Sequence, residues 1–324
     1  MPNLNGQHPG RRRYRTFSDY LSERFGTRVY KATIDAGFTC PNRDGSAGVG
    51  GCTYCNNEGF SVNSRRDRAS ALDVRKQLEQ GARFLRRRYK AEKFLAYFQA
   101  YTNTYAPVEE LRALYDAALE HPDVVGLDVG TRPDCVPDDV LELLREYTNR
   151  TGDVWLELGL QSANDATLKR INRRHDAACF FDAMERAKGR GLKLCVHVIL
   201  GLPGESREDM LHTARALSGL EYHGLKLHLL HVNRDTALAR EYERGELRTL
   251  TMKEYATLAV DFLEYVPPDV VIQRLTGEGA PDVLIAPKWC LSKSEALNAI
   301  HDEMERRDFH QGSRLTARPE SMKI

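Results

Sequence analysis

Leu194-Cys195-Val196-His197-Val198-Ile199-Leu200-Gly201-Leu202-Pro203-Gly204-Glu205 is an apolar run of strand length that stops at a Gly-Leu-Pro-Gly turn. An amphipathic stretch, Arg207–Leu217, follows it with helical length. Strands buried on both faces read as near-continuous apolar runs, and they belong to parallel sheets. The same unit recurs along the chain. Val29–Ile34, Phe94–Gln99, Val124–Val129, Val154–Leu158 and Leu225–Leu230 read as further strands. Leu72–Tyr89, Val108–Glu120, Asp138–Asn149 and Cys179–Arg190 read as the helices between them. This repetition predicts an α/β fold with a parallel sheet and right-handed crossovers. Six units fit an incomplete barrel or an open doubly wound sheet.

In either architecture, reactive groups gather at the carboxyl ends of the strands. Cys40 follows the first strand and Gln99 closes the second. Thr131-Arg132-Pro133-Asp134 follows the third, Gly159-Leu160-Gln161-Ser162 the fourth and Gly201–Glu205 the fifth. His228 and His231 lie in or just after the sixth. Residues 1–28 form a basic N-terminal segment, 29–240 the core barrel and 241–324 a C-terminal α/β extension packed on it. The extension holds helices over Met252–Val266 and Lys293–Arg306, with an apolar run, Val270–Leu275, between them.

Charge is balanced, with 47 Lys and Arg against 46 Asp and Glu. The whole chain therefore advertises no polyanionic partner. Two basic runs stand out locally, Arg11-Arg12-Arg13-Tyr14-Arg15 and Arg86-Arg87-Arg88-Tyr89-Lys90. They could neutralise phosphates while Tyr14 and Tyr89 stack on bases, although such runs are often plain solvated faces. The polar N-terminus lacks the apolar stretch of a secretory signal. No run approaches the roughly 18 apolar residues of a membrane span. Three of the seven cysteines crowd into one loop. That distribution favours a reducing, cytoplasmic setting and a metal role over disulfides.

The crowded loop is Cys40-Pro41-Asn42-Arg43-Asp44-Gly45-Ser46-Ala47-Gly48-Val49-Gly50-Gly51-Cys52-Thr53-Tyr54-Cys55. Thiolates suit zinc or iron–sulfur clusters. A structural zinc site needs four closed ligands. Only three are local, with no further cysteine before Cys135 and no histidine between His8 and His121. A cubane cluster on three cysteines leaves one iron open to another ligand. A zinc site completed from a distance, in a non-catalytic binding protein, is the alternative. Cys135, Cys179, Cys195 and Cys290 read as small buried residues.

At these residues the chain resembles the radical S-adenosylmethionine (SAM) superfamily. The long gap before Cys52 resembles the YhcC/YtqA-type branch, related to Elp3-like and HemN-like enzymes. Glu157–Ser162, Arg170–His175 and Ile199–Glu205 resemble later motifs of the same superfamily. Tyr97–Tyr105 stands where many members carry Gly-Gly-Glu, which is absent here. The resemblance implies a partial six-unit TIM-like barrel, a 4Fe–4S cluster on Cys40, Cys52 and Cys55, and SAM as cofactor. It implies reductive cleavage of SAM to a 5′-deoxyadenosyl radical, with reduced flavodoxin or ferredoxin as electron donor. Tyr54, Gly201, Pro203 and Gly204 would flank adenine. Gln99 and Asn103 would meet the methionine part. Glu157, Gln161 and Ser162 would bind the ribose hydroxyls or the amine. Arg132, Asp134, His197, Lys226 and His228 are the substrate candidates; an ion pair or turn is the plainer reading of the first two. Resemblance to Elp3-like enzymes implies tRNA, at a wobble uridine side chain, as substrate. A small metabolite is the alternative.

Overall fold

The computed structural model describes residues 13–56, 69–277 and 279–315. Arg11 and Arg12 of the first basic run lie outside them. The described elements run α1 (Phe17–Phe25), β1 (Val29–Ile34), α2 (Ala71–Tyr89), β2 (Lys93–Phe98), α3 (Val108–Leu119), β3 (Val124–Thr131) and α4 (Asp138–Thr148). Next come β4 (Asp153–Gln161), α5 (Asp165–Arg170), α6 (Ala177–Ala187), β5 (Lys193–Leu200), α7 (Arg207–Ser218) and β6 (Gly224–Leu229). The chain continues through β7 (Val232–Asn233), α8 (Ala237–Glu243), α9 (Met252–Leu263), β8 (Val271–Arg274), β9 (Leu284–Ala286) and α10 (Lys293–Arg306).

The main sheet has seven strands in the order β1-β2-β3-β4-β5-β6-β8, every pair parallel. The order never reverses, so no topological switch point exists and the doubly wound alternative falls. A parallel sheet wound always in one direction curls into a half-barrel. The sequence reading counted six strands. The seventh is β8, short and polar at its end (Gln273-Arg274), which hides it as a mere apolar run.

Helices are set by local signals. α7 begins on a reciprocal cap in which the Ser206 hydroxyl accepts from the Asp209 amide and the Asp209 carboxylate accepts from the Ser206 amide. The same device starts α2 with Ser70 and Asp73, and α9 with Thr251 and Glu254. Each such cap contributes about 1 kcal/mol. Between helices and sheet lies one large apolar core, containing Phe94, Phe98, Tyr115, Tyr147, Phe180 and Phe262.

The amino end of the half-barrel is plugged. Leu21 of α1 packs with Val29, Leu95, Trp155 and Cys195, and Phe17 meets Trp155 edge-on at 5.5 Å between ring centres. Burying such side chains contributes about 1.5–3 kcal/mol each. The described residues of both basic runs lie toward this plugged end. Arg86 to Lys90 closes α2 just before β2 begins, with Arg86 paired to Asp123 and Tyr89 stacked on Tyr30. Arg13 bonds to Asp308 and to the Phe309 carbonyl, Tyr14 to His301, and Arg15 to the Asp269 carbonyl and Glu23. In the described residues, the N-terminal basic segment is thus a strap tied to the chain's own C-terminal part.

Candidate metal centre and barrel interior

At the other, open end stands the cysteine loop. The Cys40 carbonyl accepts from the Arg43 and Asp44 amides at 2.8 and 3.2 Å, which turns the chain directly after β1. The Cys55 amide donates to the Cys52 carbonyl at 2.9 Å, so these two cysteines share one tight turn. The loop is sewn to the segment after α5. Thr53 donates to the Ile171 carbonyl at 3.0 Å, Asn172 to the Gly51 carbonyl at 2.8 Å and Asn42 to the Asn172 carbonyl at 2.6 Å. Gly51 sits at φ +78, and a Cβ there would come within 3.0 Å of Arg43 Nε. Only glycine passes that point without strain.

Cations converge on the sulfurs. Arg132 Nη1 lies 4.0 Å from Cys40 Sγ, and Arg173 Nη1 lies 3.7 Å from Cys52 Sγ. Asn42 Nδ2 adds a contact to Cys52 Sγ at 3.6 Å, and Arg43 holds the Cys55 carbonyl at 2.9 Å. Arg132 is anchored by a two-pronged bond to Asp134 at 2.8 and 2.7 Å and donates to the Arg173 carbonyl at 3.0 Å. Arg132 and Asp134, expected near substrate, therefore form an ion pair that braces the loop.

Arg173 is the sharper case. It is 6% exposed, donates to the Gly159 carbonyl at 2.7 Å, and has an unpartnered Nε. It forms no ion pair with a described carboxylate. A buried cation without a counter-charge is costly, and thiolates at the loop would supply that counter-charge. Burial pushes the Cys55 thiol up to about 11, with Cys52 adding to the rise and Arg43 opposing it. A metal displaces such protons outright. Spacing discriminates between metals. Tetrahedral zinc with bonds of 2.3 Å holds its sulfurs roughly 3.8 Å apart. Among the described residues, the three loop sulfurs do not all fall within 4.8 Å of one another. That spread is wider than one tetrahedral zinc ion imposes on its sulfurs.

The places expected to hold SAM come together around this loop. Tyr54 packs on the cluster of Ile199, Leu202, Leu230 and Leu238, which sets its ring against the turn after β5. Gly201 and Gly204 both take φ +83 in that turn, on either side of Leu202-Pro203. Ser162 donates to Glu205 at 2.5 Å and so ties the end of β4 to the same turn. Burial pushes the Glu205 carboxyl up to about 7, against its Ser162 and Thr167 contacts. Gln161 is held at φ +73, where the register between β4 and β5 slips. After β2, Ala100 and Tyr101 take φ +78 and +59 in succession, a left-handed pair costly for non-glycine residues. That strain sits where Gly-Gly-Glu is missing. Gln99 follows β2 directly, and its amide donates to the Ile34 carbonyl at 3.1 Å. The Asn103 amide nitrogen is committed to the Ala100 and Gly130 carbonyls at 3.0 and 2.7 Å, which leaves its buried Oδ1 open.

Glu157 is placed differently from the sequence expectation. It lies wholly buried inside the half-barrel, with its carboxylate held by four side chains. Lys31 holds Oε1 at 2.7 Å. Tyr97, His197 and Lys226 reach Oε2 at 2.9, 2.9 and 2.5 Å. Three donors thus crowd Oε2, while Oε1 takes one. Lys31 also contacts Asp128 and donates to Gln273 at 2.6 Å, which links β1 to β8 across the sheet's open gap. The lysine amines stand 4.6 and 4.4 Å from the Tyr97 ring centre. TIM-barrel interiors are normally filled with branched apolar side chains, so this charged layer is built for something else. Burial pushes Asp128 up to about 7, with Glu157 adding and Lys31 opposing. Lys226 is pushed down to about 8 by burial, with Glu157 opposing. The Lys31, Asp128 and Arg173 roles escaped the sequence reading. The signal was present for the first two: each is a charge inside an apolar strand, the same signature that singled out Glu157.

The comparisons agree with this geometry. The family model described as "Radical SAM superfamily" matches residues 40–217, and "Radical_SAM C-terminal domain" matches 222–306. The chain is 41% identical over 305 residues to YtqA of Bacillus subtilis (strain 168), covering 93% of this chain and 92% of that protein. It is 44% identical over 274 residues to YhcC of Escherichia coli (strain K12), covering 85% and 86%. A more partial relative, 30% identical over 176 residues and covering 52% of this chain and 36% of that protein, is a tRNA uridine(34) acetyltransferase of Dehalococcoides mccartyi (strain CBDB1). Among solved structures, the archaeal Methanocaldococcus infernus Elp3 superposes with a TM-score of 0.63 at 18% identity, over 88% of this chain and 64% of that one. That likeness confirms the fold. Among the described residues, no helix is long and apolar enough to cross a membrane. The chain belongs to the radical SAM superfamily, whose enzymes use a 4Fe–4S cluster and S-adenosylmethionine for radical chemistry and need a reductant.

Proposed function

We propose that this enzyme modifies tRNA at a wobble uridine, in the cytoplasm, with reduced flavodoxin or ferredoxin as electron donor. The observation that carries the reading is the relatedness to the tRNA uridine(34) acetyltransferase. Two clefts near the cysteine loop balance their charges and add nothing to this reading: Arg234 and Arg240 stand with Asp235 and Glu243 in one, Lys169 and Arg174 with Asp165 and Asp176 in the other.

Cys40, Cys52 and Cys55 would hold the cluster, which with SAM supplies an organic radical able to remove a hydrogen atom from substrate. The chain's own part is positioning. Arg132 and Arg173 supply positive charge beside the sulfurs. The Gly-rich loop wraps its contents with backbone and keeps water out. Tyr54, packed beside the Gly201–Gly204 turn, would lie against the adenine ring.

Two measurements follow. A strain lacking the protein should lose one modified nucleoside from bulk tRNA by mass spectrometry, and the purified enzyme should bind tRNA with salt-sensitive affinity. An unchanged nucleoside profile together with no tRNA affinity at low salt would defeat the substrate reading. Separately, Arg173→Met keeps side-chain bulk and removes a positive charge next to Cys52. It should lower the cluster's reduction potential in an EPR-monitored titration, since nearby charge tunes such potentials. An unaltered potential would remove Arg173 from the electrostatics of the site.

A further inference from the structure

The edge of the half-barrel formed by β6 and β8 carries polar groups that no described side chain answers. Arg274 ends β8, in register with Lys226 of β6. It is exposed and makes no hydrogen bond or ion pair with a described residue. Its charge nonetheless bears on Tyr97, His197, His228 and His231. Its strand partner Lys226 and, two residues on, His228 lie on the interior face of β6, and the pairing sets Arg274 beside that face. His228 lies against His197 with 5.2 Å between ring centres, and its buried Nε2 has no partner. Gly277 brings no side chain to this corner, and a Cβ there would stand 3.5 Å from His231 Cε1 and 3.9 Å from His228 Nδ1. An unpaired cation and an unsatisfied ring nitrogen thus meet at the rim of the lumen, where Gly277 adds no side chain.

The charge balance of the layer beneath points the same way. Lys31 and Lys226 face Glu157 and Asp128, and Arg274 adds a third cation. With Asp128 partly protonated near neutrality, the interior carries an excess of positive charge. Glu157, Cys195 and His197 have ligand atoms within 4.8 Å of one another, but the two lysine contacts make that corner unfit for a cation.

We propose that this edge of the interior binds an oxyanion of the substrate, a carboxylate or a phosphate, between Arg274 and His228. Arg274 offers the forked donors that match such groups. His228 Nε2 completes the contact as a donor. The inference concerns the substrate's charge and does not require that substrate to be tRNA.

The test is calorimetric titration of malonate and of inorganic phosphate into anaerobic, cluster-loaded enzyme. Saturable binding is expected, and Arg274→Gln should weaken it by roughly tenfold or more, as loss of a charge-assisted pair does. Arg274→Lys should fall between the two. Arg83→Gln, on the outer face of α2 where the arginine pairs with Glu79, serves as the surface control and should bind like the wild type. Tighter malonate binding would assign a carboxylate, and tighter phosphate binding a phosphate; either order supports the site. Equal binding by wild type and Arg274→Gln, or no saturable binding of either anion, would overturn it. Arg274 is exposed and unpaired, so the variant should fold, and circular dichroism checks this. A negative tRNA result would leave this titration unaffected, so the two ideas fail separately.

Discussion

Cys55→Ala is expected to strip the protein of its iron and to cut SAM cleavage by more than about 100-fold, beyond what changes one layer out from a metal usually cost. The expectation follows from the ligand count. Three thiolates leave one cluster corner for SAM, and two cannot hold the cluster in place of three. The fold should survive the change. The loop is fastened by Thr53, Asn172, Asn42 and the Leu238 amide, whose bonds go to backbone carbonyls and not to the Cys55 sulfur. A half-buried Cys→Ala change in such a setting costs about 1 kcal/mol. Iron and sulfide analysis, the visible absorbance of anaerobic protein, and chromatography of the SAM products read the outcome. Cys195→Ala is the matched control. Cys195 is fully buried near Trp155 at the plugged end, so that variant should keep its iron. Full iron and cleavage in Cys55→Ala would end the ligand assignment.

The contrast between those two cysteines shows what the sequence made legible. Spacing and glycine content set Cys40, Cys52 and Cys55 apart from Cys195, because a loop that wraps a cofactor leaves a compositional trace. Strand ends were legible for the same reason, since each buried strand is a continuous apolar run that stops at polar or Gly-rich residues. Partnerships were not. Glu157 is visible in the sequence as a charge in an apolar strand, yet its four partners come from β1, β2, β5 and β6. No local pattern records such convergence, which depends on strand register and on the curl of the sheet. Arg132 and Asp134, only two residues apart, are the exception: the ion pair given as their plainer reading is what forms, and Arg132 also reaches Cys40. The basic runs erred in the opposite direction. Composition marked them, but Arg13 and Arg15 are consumed by the chain's own C-terminal segment, and Arg86 by Asp123.

That buried convergence makes the second large effect. Glu157→Leu is expected to destabilise the enzyme by about 3–5 kcal/mol, the usual cost of removing one member of a buried ion pair. The damage is to Lys226 more than to Lys31. Lys31 keeps Asp128, whereas Glu157 is the one described carboxylate that Lys226 contacts. Glu157→Gln preserves shape and an oxygen for the Tyr97 hydroxyl, so its cost should be smaller, about 1–3 kcal/mol. Adding Lys226→Met to Glu157→Leu removes the stranded charge and should recover part of the loss, because apolar replacement of a whole buried pair is often close to neutral. The pH dependence has a definite sign. Burial holds the Lys226 amine near 8 even with Glu157 beside it, and lower still without it. The folded state then binds fewer protons than the unfolded one from that value up to the ordinary lysine range, so stability rises with pH across that window. The wild type gains from this only above about 8, whereas the variant begins at its lower value, so the deficit of Glu157→Leu should be largest just below that value, narrow as pH climbs to about 8 and hold level beyond it. Urea denaturation of the single and double variants at several pH values measures all of this. A double variant no more stable than Glu157→Leu, with a deficit flat in pH, would mean that Lys226 never depended on the carboxylate for its charge.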